Sequence, residues 1–325
     1  MTLSIHVQRL PGDAPQNSLQ EQAAVALKIT IGDEAPPQPD YRILVAGRPS
    51  RALLEASPEL EAVIVPFAGI PNETREIMRD FPHVALHNLH HNAAPVAEMA
   101  IALLLAAAKS LLPFDRSLRH HRWTTDDAPL QGVLLEGKTA LVLGYGAIGR
   151  RVACHCQALG MHVLATRRHD VPAKEEGVAI FGPDALHALL PESQALIIAL
   201  PLTDETRGII GAEELALMPD GAILVNVGRG PIVQEKPLYE ALREGRAQAA
   251  GLDVWYNYPE DRETPEATPA ANLPFHELDN VVMSPHRAGD CDETERLRIT
   301  HLARMLEAAG RGEPMPNRVA VSQGY

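Results

Sequence analysis

Short apolar runs alternate with amphipathic segments along almost the whole chain, and this alternation restricts the fold more than any other feature. Runs such as YRILVAG, from Tyr41, and TALVLG, from Thr139, have the length of buried strands, and each is followed by a segment with helical periodicity. Strands that are apolar on both faces need helices on both faces, as in parallel sheets. The sequence therefore predicts an α/β fold of doubly wound parallel sheets.

The alternation falls into two series separated by a long predicted helix. This helix extends from about Ala94 to Leu112, with Asn92 as its N-cap and Pro113 at its end. A last helix is predicted from about residue 292 to residue 310. Since 325 residues suit two domains, we predict a discontinuous domain of residues 1–92 and 287–325, and a second domain of residues 93–286.

Composition and charge limit the classes of partner. Hydrophobic residues make up 46% of the chain and charged residues 22%, as in soluble globular proteins, and the net charge of −13 should repel nucleic acid and anionic membranes. The longest apolar run, Met99 to Ala108, is about half of a bilayer span. Three cysteines form no disulfide framework, and the first residues lack the features of a signal peptide. We therefore expect a cytoplasmic protein without nucleic-acid or membrane partners.

A glycine-rich hexapeptide, GYGAIG, lies between the predicted strand TALVL and a predicted helix. Gly144 would permit a tight turn, Gly146 would let the backbone approach a pyrophosphate, and Gly149 would allow the helix to pack closely on the strand. In this strand-to-helix context the pattern indicates dinucleotide binding. We predict that the whole hexapeptide binds the cofactor: Gly144, Tyr145, Gly146, Ala147, Ile148 and Gly149.

The end of the next predicted strand, HVLAT, indicates which dinucleotide binds. Thr166, Arg167 and Arg168 follow one another there, and no acid occurs before Asp170. Arginine accommodates a ribose 2′-phosphate, whereas a carboxylate would hold the 2′-hydroxyl. We predict that NADP(H) is preferred and that NAD(H) remains possible; the alternative is a solvated basic turn. Paired histidines, His90-His91 and His120-His121, lack further ligands at suitable spacing, so no metal site is predicted.

Several motifs in one order resemble the D-isomer-specific 2-hydroxyacid dehydrogenases. They are the glycine loop, the stretch from Pro201 to Trp255 that contains VNVGRGPIV, and VVMSPHRAG from Val281. The resemblance is strong from about Asn92 to Gly289 and weak in the first forty residues. It implies a Rossmann nucleotide-binding domain, a flavodoxin-like discontinuous substrate domain, an active site in the cleft between them, and a homodimer.

The resemblance also implies roles for individual residues. Arg229 matches the family's catalytic arginine, which can hold a carboxylate or a carbonyl oxygen, and His286 matches the acid/base histidine. In PFAGIP the backbone N–H groups of Ala68, Gly69 and Ile70 match the loop that grips the substrate carboxylate. Further cofactor-binding positions implied by the resemblance are Leu200, Pro201, Thr206, Val227, Gly228 and Asp253.

One position departs from the family pattern. Most members have a glutamate that hydrogen-bonds the catalytic histidine, and this chain has Tyr258 there. A neutral tyrosine does not raise the pKa of His286 as a carboxylate would, so we expect His286 to titrate lower than in relatives with the glutamate. Formate dehydrogenases carry a neutral glutamine there, and Glu260 could substitute if the loop is shifted.

The function predicted from these motifs is NADP(H)-dependent reduction of a small 2-oxo acid of the glyoxylate, hydroxypyruvate or pyruvate type. Within the same class, Tyr258 leaves formate or phosphite oxidation open. From a different class, a non-catalytic NAD(P)-sensing binding protein is the alternative. The presence of both Arg229 and His286 favours the enzyme.

Overall fold

Two mainly parallel sheets, each in its own unit, organise the chain. The computed structural model describes residues 2–9, 18–123, 132–259 and 268–321. One unit consists of residues 1–92 and 290–325, and the other of residues 93–289. The chain thus returns to the first unit after Gly289, whereas the sequence analysis placed this boundary after His286.

The first unit contains a five-stranded parallel sheet in the order β2-β1-β3-β4-β5. Its strands are β1 (Leu3–Val7), β2 (Leu27–Ile31), β3 (Ile43–Val45), β4 (Ala62–Val65) and β5 (Ala85–Asn88). Its helices are α1 (Ser18–Gln22), α2 (Arg51–Ala56), α3 (Asn72–Met78) and α10 (Thr294–Gly310). This strand order is that of the flavodoxin-like fold. One core cluster includes Leu53 and Met78 and the other includes Leu19 and Leu302, so both faces of the sheet are covered.

The second unit contains an eight-stranded sheet in the order β13-β12-β11-β10-β6-β7-β9-β8. Its strands are β6 (Thr139–Leu143), β7 (His162–Thr166), β8 (Ala173–Glu175), β9 (Val178–Phe181), β10 (Ala195–Ile198), β11 (Ala222–Asn226), β12 (Ala247–Leu252) and β13 (Val281–Met283). Its helices are α4 (Ala93–Ala108), α5 (Leu111–Arg119), α6 (Ala147–Ala158), α7 (Leu186–Leu189), α8 (Ala212–Leu217) and α9 (Glu235–Arg243). The strand order reverses between β6 and β10, which is where Rossmann folds bind dinucleotides.

The sequence analysis missed the hairpin β8–β9. Strand β8 pairs antiparallel with β9, and β9 pairs parallel with β7 at this end of the sheet. The segment AKEEGVAIF lacks a long apolar run because β8 is a three-residue edge strand whose residues are exposed or only partly buried. This hairpin positions Glu175 beside Arg167, at the end of β7.

The prediction of one long helix ending at Pro113 was wrong. Helix α4 ends at Ala108, Ser110 has a left-handed backbone with φ 50°, and α5 continues at 66° to α4. Pro113 lies in the first turn of α5, where its missing N–H removes no helical hydrogen bond. Asn92 was also wrongly predicted as an N-cap, since its buried Oδ1 has no hydrogen-bond partner among the described residues.

The α-helices in the described part of the chain are four to seventeen residues long. No single one of them is long and apolar enough to cross a membrane. Among the described helices, only the bent pair of α4 and α5, taken together, has the length and apolar composition of a membrane span. More than half of the residues of α4 are buried inside the protein.

Candidate active site

The glycine loop connects β6 to α6 in the second unit. Gly144 has φ 98°, and a Cβ atom there would lie 2.8 Å from the carbonyl oxygen of Ala199. A Cβ atom at Gly149 would overlap the carbonyl oxygen of Gly144. The N–H groups of Gly144 and Tyr145 donate to the carbonyl oxygen of Thr166, which fixes the loop beside the end of β7. Both glycines are therefore required by close backbone packing.

These residues fit a dinucleotide. Gly146 precedes α6 as its N-cap and forms no side-chain cap, so the first N–H groups of this twelve-residue helix are not bound by a capping side chain. A helix N-terminus beside a glycine loop offers backbone donors and partial positive charge to a pyrophosphate. Ala147 and Ile148 lie in its first turn.

The two arginines predicted to bind the 2′-phosphate differ in their contacts at the end of β7. The guanidinium of Arg167 donates to the carbonyl oxygens of His169, at 2.8 Å, and Asp170, at 2.7 Å, and to the carboxylate of Glu175. It is largely buried and holds its own loop, so it does not present a free cation. Arg168 is more exposed, and its Nη2 lies 3.4 Å from Oε2 of Glu205. Thr166 is buried.

The loop after β10 contains three predicted cofactor-binding residues. Leu200 and Pro201 are partly buried there. The hydroxyl of Thr206 donates to the carbonyl oxygen of Pro201 at 2.7 Å and accepts from the N–H of Thr203 at 2.8 Å. In this structure the hydroxyl of Thr206 therefore stabilises the turn that presents Leu200 and Pro201.

The two glycines around Arg229 are explained by close approach of neighbouring chain segments. Strand β11 lies between β10 and β12. A Cβ atom at Gly228 would lie 2.6 Å from the carbonyl oxygen of Leu200, and one at Gly230 would overlap that of Trp255. Asn226 accepts a hydrogen bond from the N–H of Gly228 and donates to the carbonyl oxygen of Arg229, each at 3.0 Å. This arrangement fixes the backbone that carries the arginine.

The Arg229 side chain is partly buried rather than directed freely into solvent. Its Nη1 donates to the carbonyl oxygen of Gly228 at 2.6 Å. Burial lowers the pKa of Arg229, and the nearby Tyr258 and Asp253 act in the opposite direction. A guanidinium stays protonated under these conditions, so the site holds a partly desolvated cation. Val227, just before it, is buried.

A buried carboxylate holds the loop that carries His286. Oδ1 of Asp253 accepts from the Ser284 hydroxyl at 2.6 Å and from the Arg287 N–H at 2.9 Å, and Oδ2 accepts from the Ala288 N–H at 3.1 Å. His286 itself has φ 57°, a conformation that few non-glycine residues adopt. Asp253 was predicted to bind the cofactor, and this stays a prediction; in the structure its oxygens accept hydrogen bonds from the loop that carries His286.

Tyr258 contacts the imidazole of His286 and lies near the cation of Arg229. Its ring centroid is 5.4 Å from that of His286, with the planes inclined by 54°, and its hydroxyl accepts from the Trp255 N–H at 3.1 Å. Burial raises the pKa of Tyr258, although the Trp255 hydrogen bond and the charge of Arg229 lower it. Tyr258 is therefore a neutral phenol at neutral pH. Glu260, the other suggested partner of His286, lies outside the described residues.

The loop that was predicted to bind the substrate carboxylate belongs to the first unit. It follows β4, and Nδ2 of Asn88 donates to the carbonyl oxygen of Ala68 at 2.6 Å. Within the described residues, the N–H groups of Ala68, Gly69 and Ile70 donate to no protein atom. Three consecutive N–H groups of this kind suit an anion.

Sequence reasoning missed the contribution of Ser284 and the role of Asn226. Both are polar residues two or three positions before a predicted catalytic residue, at or just after the end of a parallel strand, and this position was the available signal. In the part of the chain that the structure describes, no group of three or more His, Cys, Asp or Glu residues could hold a metal ion.

The chain is similar to known dehydrogenases in sequence and in structure. The chain is 31% identical over 270 residues to the D-3-phosphoglycerate dehydrogenase of Methanocaldococcus jannaschii, covering 83% of this chain and 49% of that protein. It is 42% identical over 231 residues to the glyoxylate reductase of Aeropyrum pernix, covering 69% of this chain and 65% of that protein. The chain thus spans about half the length of the phosphoglycerate dehydrogenases it matches.

A D-isomer specific 2-hydroxyacid dehydrogenase from Xanthobacter autotrophicus Py2, solved in complex with NADPH and MES, has the same fold. The TM-score is 0.77 at 26% identity, over 99% of both chains. The family model for the NAD binding domain of D-isomer specific 2-hydroxyacid dehydrogenases matches residues 101–288. Together with the glycine loop, Arg229 and His286, this match shows that the chain belongs to the D-isomer specific 2-hydroxyacid dehydrogenase family.

Proposed function

We propose that this protein reduces a small 2-oxo acid to the 2-hydroxy acid, with NADPH as the preferred cofactor. The substrate would be of the glyoxylate, hydroxypyruvate or pyruvate type. The observation that carries the proposal is the grouping of Arg229, Tyr258 and His286 in one unit, with the Tyr258 ring 5.4 Å from that of His286 and Arg229 close enough to lower the pKa of the phenol. The 42% identity with a glyoxylate reductase supports this substrate class.

Each residue of the group has a defined chemical task. The nicotinamide cofactor, when bound, supplies the hydride. The guanidinium of Arg229 binds the substrate carboxylate or carbonyl oxygen, and its partial burial strengthens that interaction relative to bulk water. His286 supplies the proton that the carbonyl oxygen needs, because an imidazole titrates near neutral pH. Asp253 positions His286 through its three hydrogen bonds to the loop.

The remaining contacts concern binding. We assign the substrate carboxylate to the N–H groups of Ala68, Gly69 and Ile70, which have no protein acceptor among the described residues. The 2′-phosphate of NADPH is assigned to Arg168, since Arg167 is committed to its own loop. The related structure that contains NADPH supports this cofactor.

A panel assay tests the proposal. Purified protein is mixed with NADPH or NADH and with glyoxylate, hydroxypyruvate, pyruvate or phosphohydroxypyruvate, and loss of reduced cofactor is followed by absorbance. Formate and phosphite are tested with NADP⁺ and NAD⁺. We expect reduction of at least one unphosphorylated 2-oxo acid, a loss of roughly 10²–10⁴-fold in kcat for H286N, and roughly 10²–10³-fold for R229Q.

The surface variant R243Q serves as a matched control for R229Q. Arg243 lies on α9, pairs with Glu244 and contacts the ring of Tyr239, so its loss should leave turnover unchanged. Tight cofactor binding without turnover of any compound would instead indicate a cofactor-sensing protein. Oxidation of formate or phosphite alone would also contradict the proposal.

We further propose that the protein is a homodimer with α5 in the interface. Helix α5 has no buried residue, and it exposes Leu111 and Leu118. Trp123 is 83% exposed shortly after this helix, and Leu134 is exposed as well. Exposed apolar side chains grouped along the sequence in this way are typical of a surface that another protein covers.

A further inference from the structure

Glu175 connects two arginines that lie at different parts of the dinucleotide-binding region. Its Oε1 is 2.5 Å from Nη1 of Arg167, at the end of β7, and its Oε2 pairs with Nη1 of Arg150, in the first turn of α6. The guanidinium of Arg150 lies 5.0 Å from the ring centroid of Tyr145 in the glycine loop. One carboxylate on the β8–β9 hairpin therefore engages both cations.

Glu175 is ionised at neutral pH. Its hydrogen bond from Arg167 is the main cause that holds its pKa below the ordinary value, and the charges of Arg150 and Arg167 add to this. Arg167 also donates to two backbone carbonyl oxygens, so most of its donors are occupied. Arg168, in contrast, has one ion-pair partner among the described residues, the exposed carboxylate of Glu205 at 3.4 Å. The end of β7 thus offers less positive charge than its sequence indicates.

A ribose 2′-phosphate would need this positive charge. In Rossmann folds the residues at the end of the second strand face the 2′ position of the ribose, and in this chain these residues are Thr166, Arg167 and Arg168. A phosphate and a carboxylate compete for the same guanidinium donors. A carboxylate already bound to Arg167 and Arg150 therefore opposes the binding of a second anion there.

We propose that Glu175 determines cofactor preference: its carboxylate occupies Arg150 and Arg167 and thereby limits the preference for NADP(H) over NAD(H). The inference rests on the proposed function only in taking a nicotinamide dinucleotide as the ligand. It predicts that the wild-type protein binds NADP⁺ through Arg168 and that removal of one carboxylate makes two further cations available.

The test is a calorimetric titration of NADP⁺ and of NAD⁺ into wild-type protein and E175Q. Release of Arg150 and Arg167 from their shared carboxylate should lower the Kd for NADP⁺ about tenfold, and the gain should shrink at high salt. The Kd for NAD⁺ should change less than about twofold, because NAD⁺ carries no charge at the 2′ position.

Glu176 supplies the matched control. It is the next residue of the hairpin, is exposed, and pairs with no arginine among the described residues. E176Q removes the same charge from almost the same place and should leave the ratio of the two Kd values unchanged. An equal effect of E175Q and E176Q, or a weaker binding of NADP⁺ by E175Q, would overturn the proposal.

A second pair of variants shows which cation is released. R167Q introduced into E175Q should abolish most of the gain in NADP⁺ affinity, whereas E175A should reproduce the gain if E175Q folds poorly. Unchanged gain in the double variant would contradict the proposal. Because affinity is measured without turnover, a shift in the ratio of Kd values supports the role of Glu175 even if no 2-oxo acid is reduced.

Discussion

The ring of Tyr258 packs against the ring of His286, with centroids 5.4 Å apart, in the position where most of the family has a glutamate. Tyr258 is 44% exposed, and its hydroxyl already accepts a hydrogen bond from the N–H of Trp255. The contact therefore orients the imidazole through packing and brings no negative charge to it. The pH dependence of the reaction should reflect this difference.

Y258E should shift the pH profile of 2-oxo acid reduction upwards. A carboxylate beside His286 favours the imidazolium and should raise the pKa of the histidine by about one unit or more. Reduction requires the protonated form, so the decline of kcat/KM at high pH should move to higher pH by the same amount. Y258F, which keeps the ring, is the control and should retain the wild-type profile. Superimposable profiles for Y258E and wild type would contradict this prediction.

D253N should damage catalysis and stability more than cofactor binding. An amide NH₂ cannot accept a hydrogen bond, so at least one of the donors from Ser284, Arg287 and Ala288 loses its partner in a buried site. We expect a loss of about 2–3 kcal/mol in the free energy of unfolding and faster hydrogen exchange at residues 286–288. The measurements are urea unfolding, exchange by mass spectrometry, kcat, and the Kd for NADP⁺.

S284A is the milder comparison, because it removes one of the three hydrogen bonds to Asp253 and should cost about 1 kcal/mol. In D253N we expect kcat to fall by at least about tenfold and the Kd for NADP⁺ to stay within about twofold. A large rise in this Kd with normal kcat would instead support the prediction that Asp253 binds the cofactor.

G230A should destabilise the protein strongly. Its Cβ atom would overlap the carbonyl oxygen of Trp255. The backbone at Trp255 follows closely on β12, so it cannot move aside without displacing the end of that strand. We expect a loss of about 3 kcal/mol or more in thermal or urea unfolding, together with a loss of activity. G245A is the control: Gly245 has φ 74° and open space around it, so the cost should be about 1–2 kcal/mol. Equal effects would argue against the close packing around Arg229.

Most of the fold could be predicted from the sequence because both sheets are built from short apolar runs. The predicted runs YRILVAG, TALVLG and HVLAT all contain strands, and the glycine loop joins strand and helix as predicted. The bend at Ser110 could not be predicted because apolar residues continue across it, in Leu111 and Leu112, and Pro113 is tolerated in a first turn. Strand β8 was missed since an exposed edge strand has no apolar periodicity.

The residues of the candidate site could be proposed from the sequence motifs, whereas their contacts could not. The motifs pointed to Arg229, His286 and Tyr258, but the sequence does not show which side-chain donors and acceptors already have hydrogen-bond partners within the protein. Arg167 and Asp253 were both assigned to the cofactor because of their positions in the motifs. Their hydrogen bonds to the β7–β8 loop and to the His286 loop depend on long-range packing, which local sequence patterns do not contain.

L118E should convert the proposed dimer to a monomer. Leu118 is half exposed on α5, and a carboxylate in an apolar interface would be buried without a partner. Light scattering coupled to size-exclusion chromatography should give the mass of two chains for the wild type and of one chain for L118E. I31E places the same charge on an exposed apolar residue of strand β2 and should leave the mass unchanged. A monomeric wild type would exclude the proposal.

H91Q should flatten the dependence of stability on pH. His91 is buried, its Nε2 lies 3.2 Å from Nε of Arg298, and burial followed by the charge of Arg298 lowers the pKa of His91 from 6.5 to about 4. Below pH 6.5 the unfolded chain binds a proton that the folded chain binds only near pH 4. The contribution of His91 to the free energy of unfolding is therefore fully present above pH 6.5 and is lost as the pH falls towards 4.

This histidine should account for up to about 3 kcal/mol of the loss. Glutamine does not titrate, and its side-chain oxygen can still accept a hydrogen bond from Arg298. Urea unfolding at a series of pH values should therefore show a smaller loss for H91Q than for wild type between pH 6.5 and 4. H162Q, at an exposed position of β7, should follow the wild-type curve. Parallel curves for H91Q and wild type would show that His91 binds its proton equally in both states.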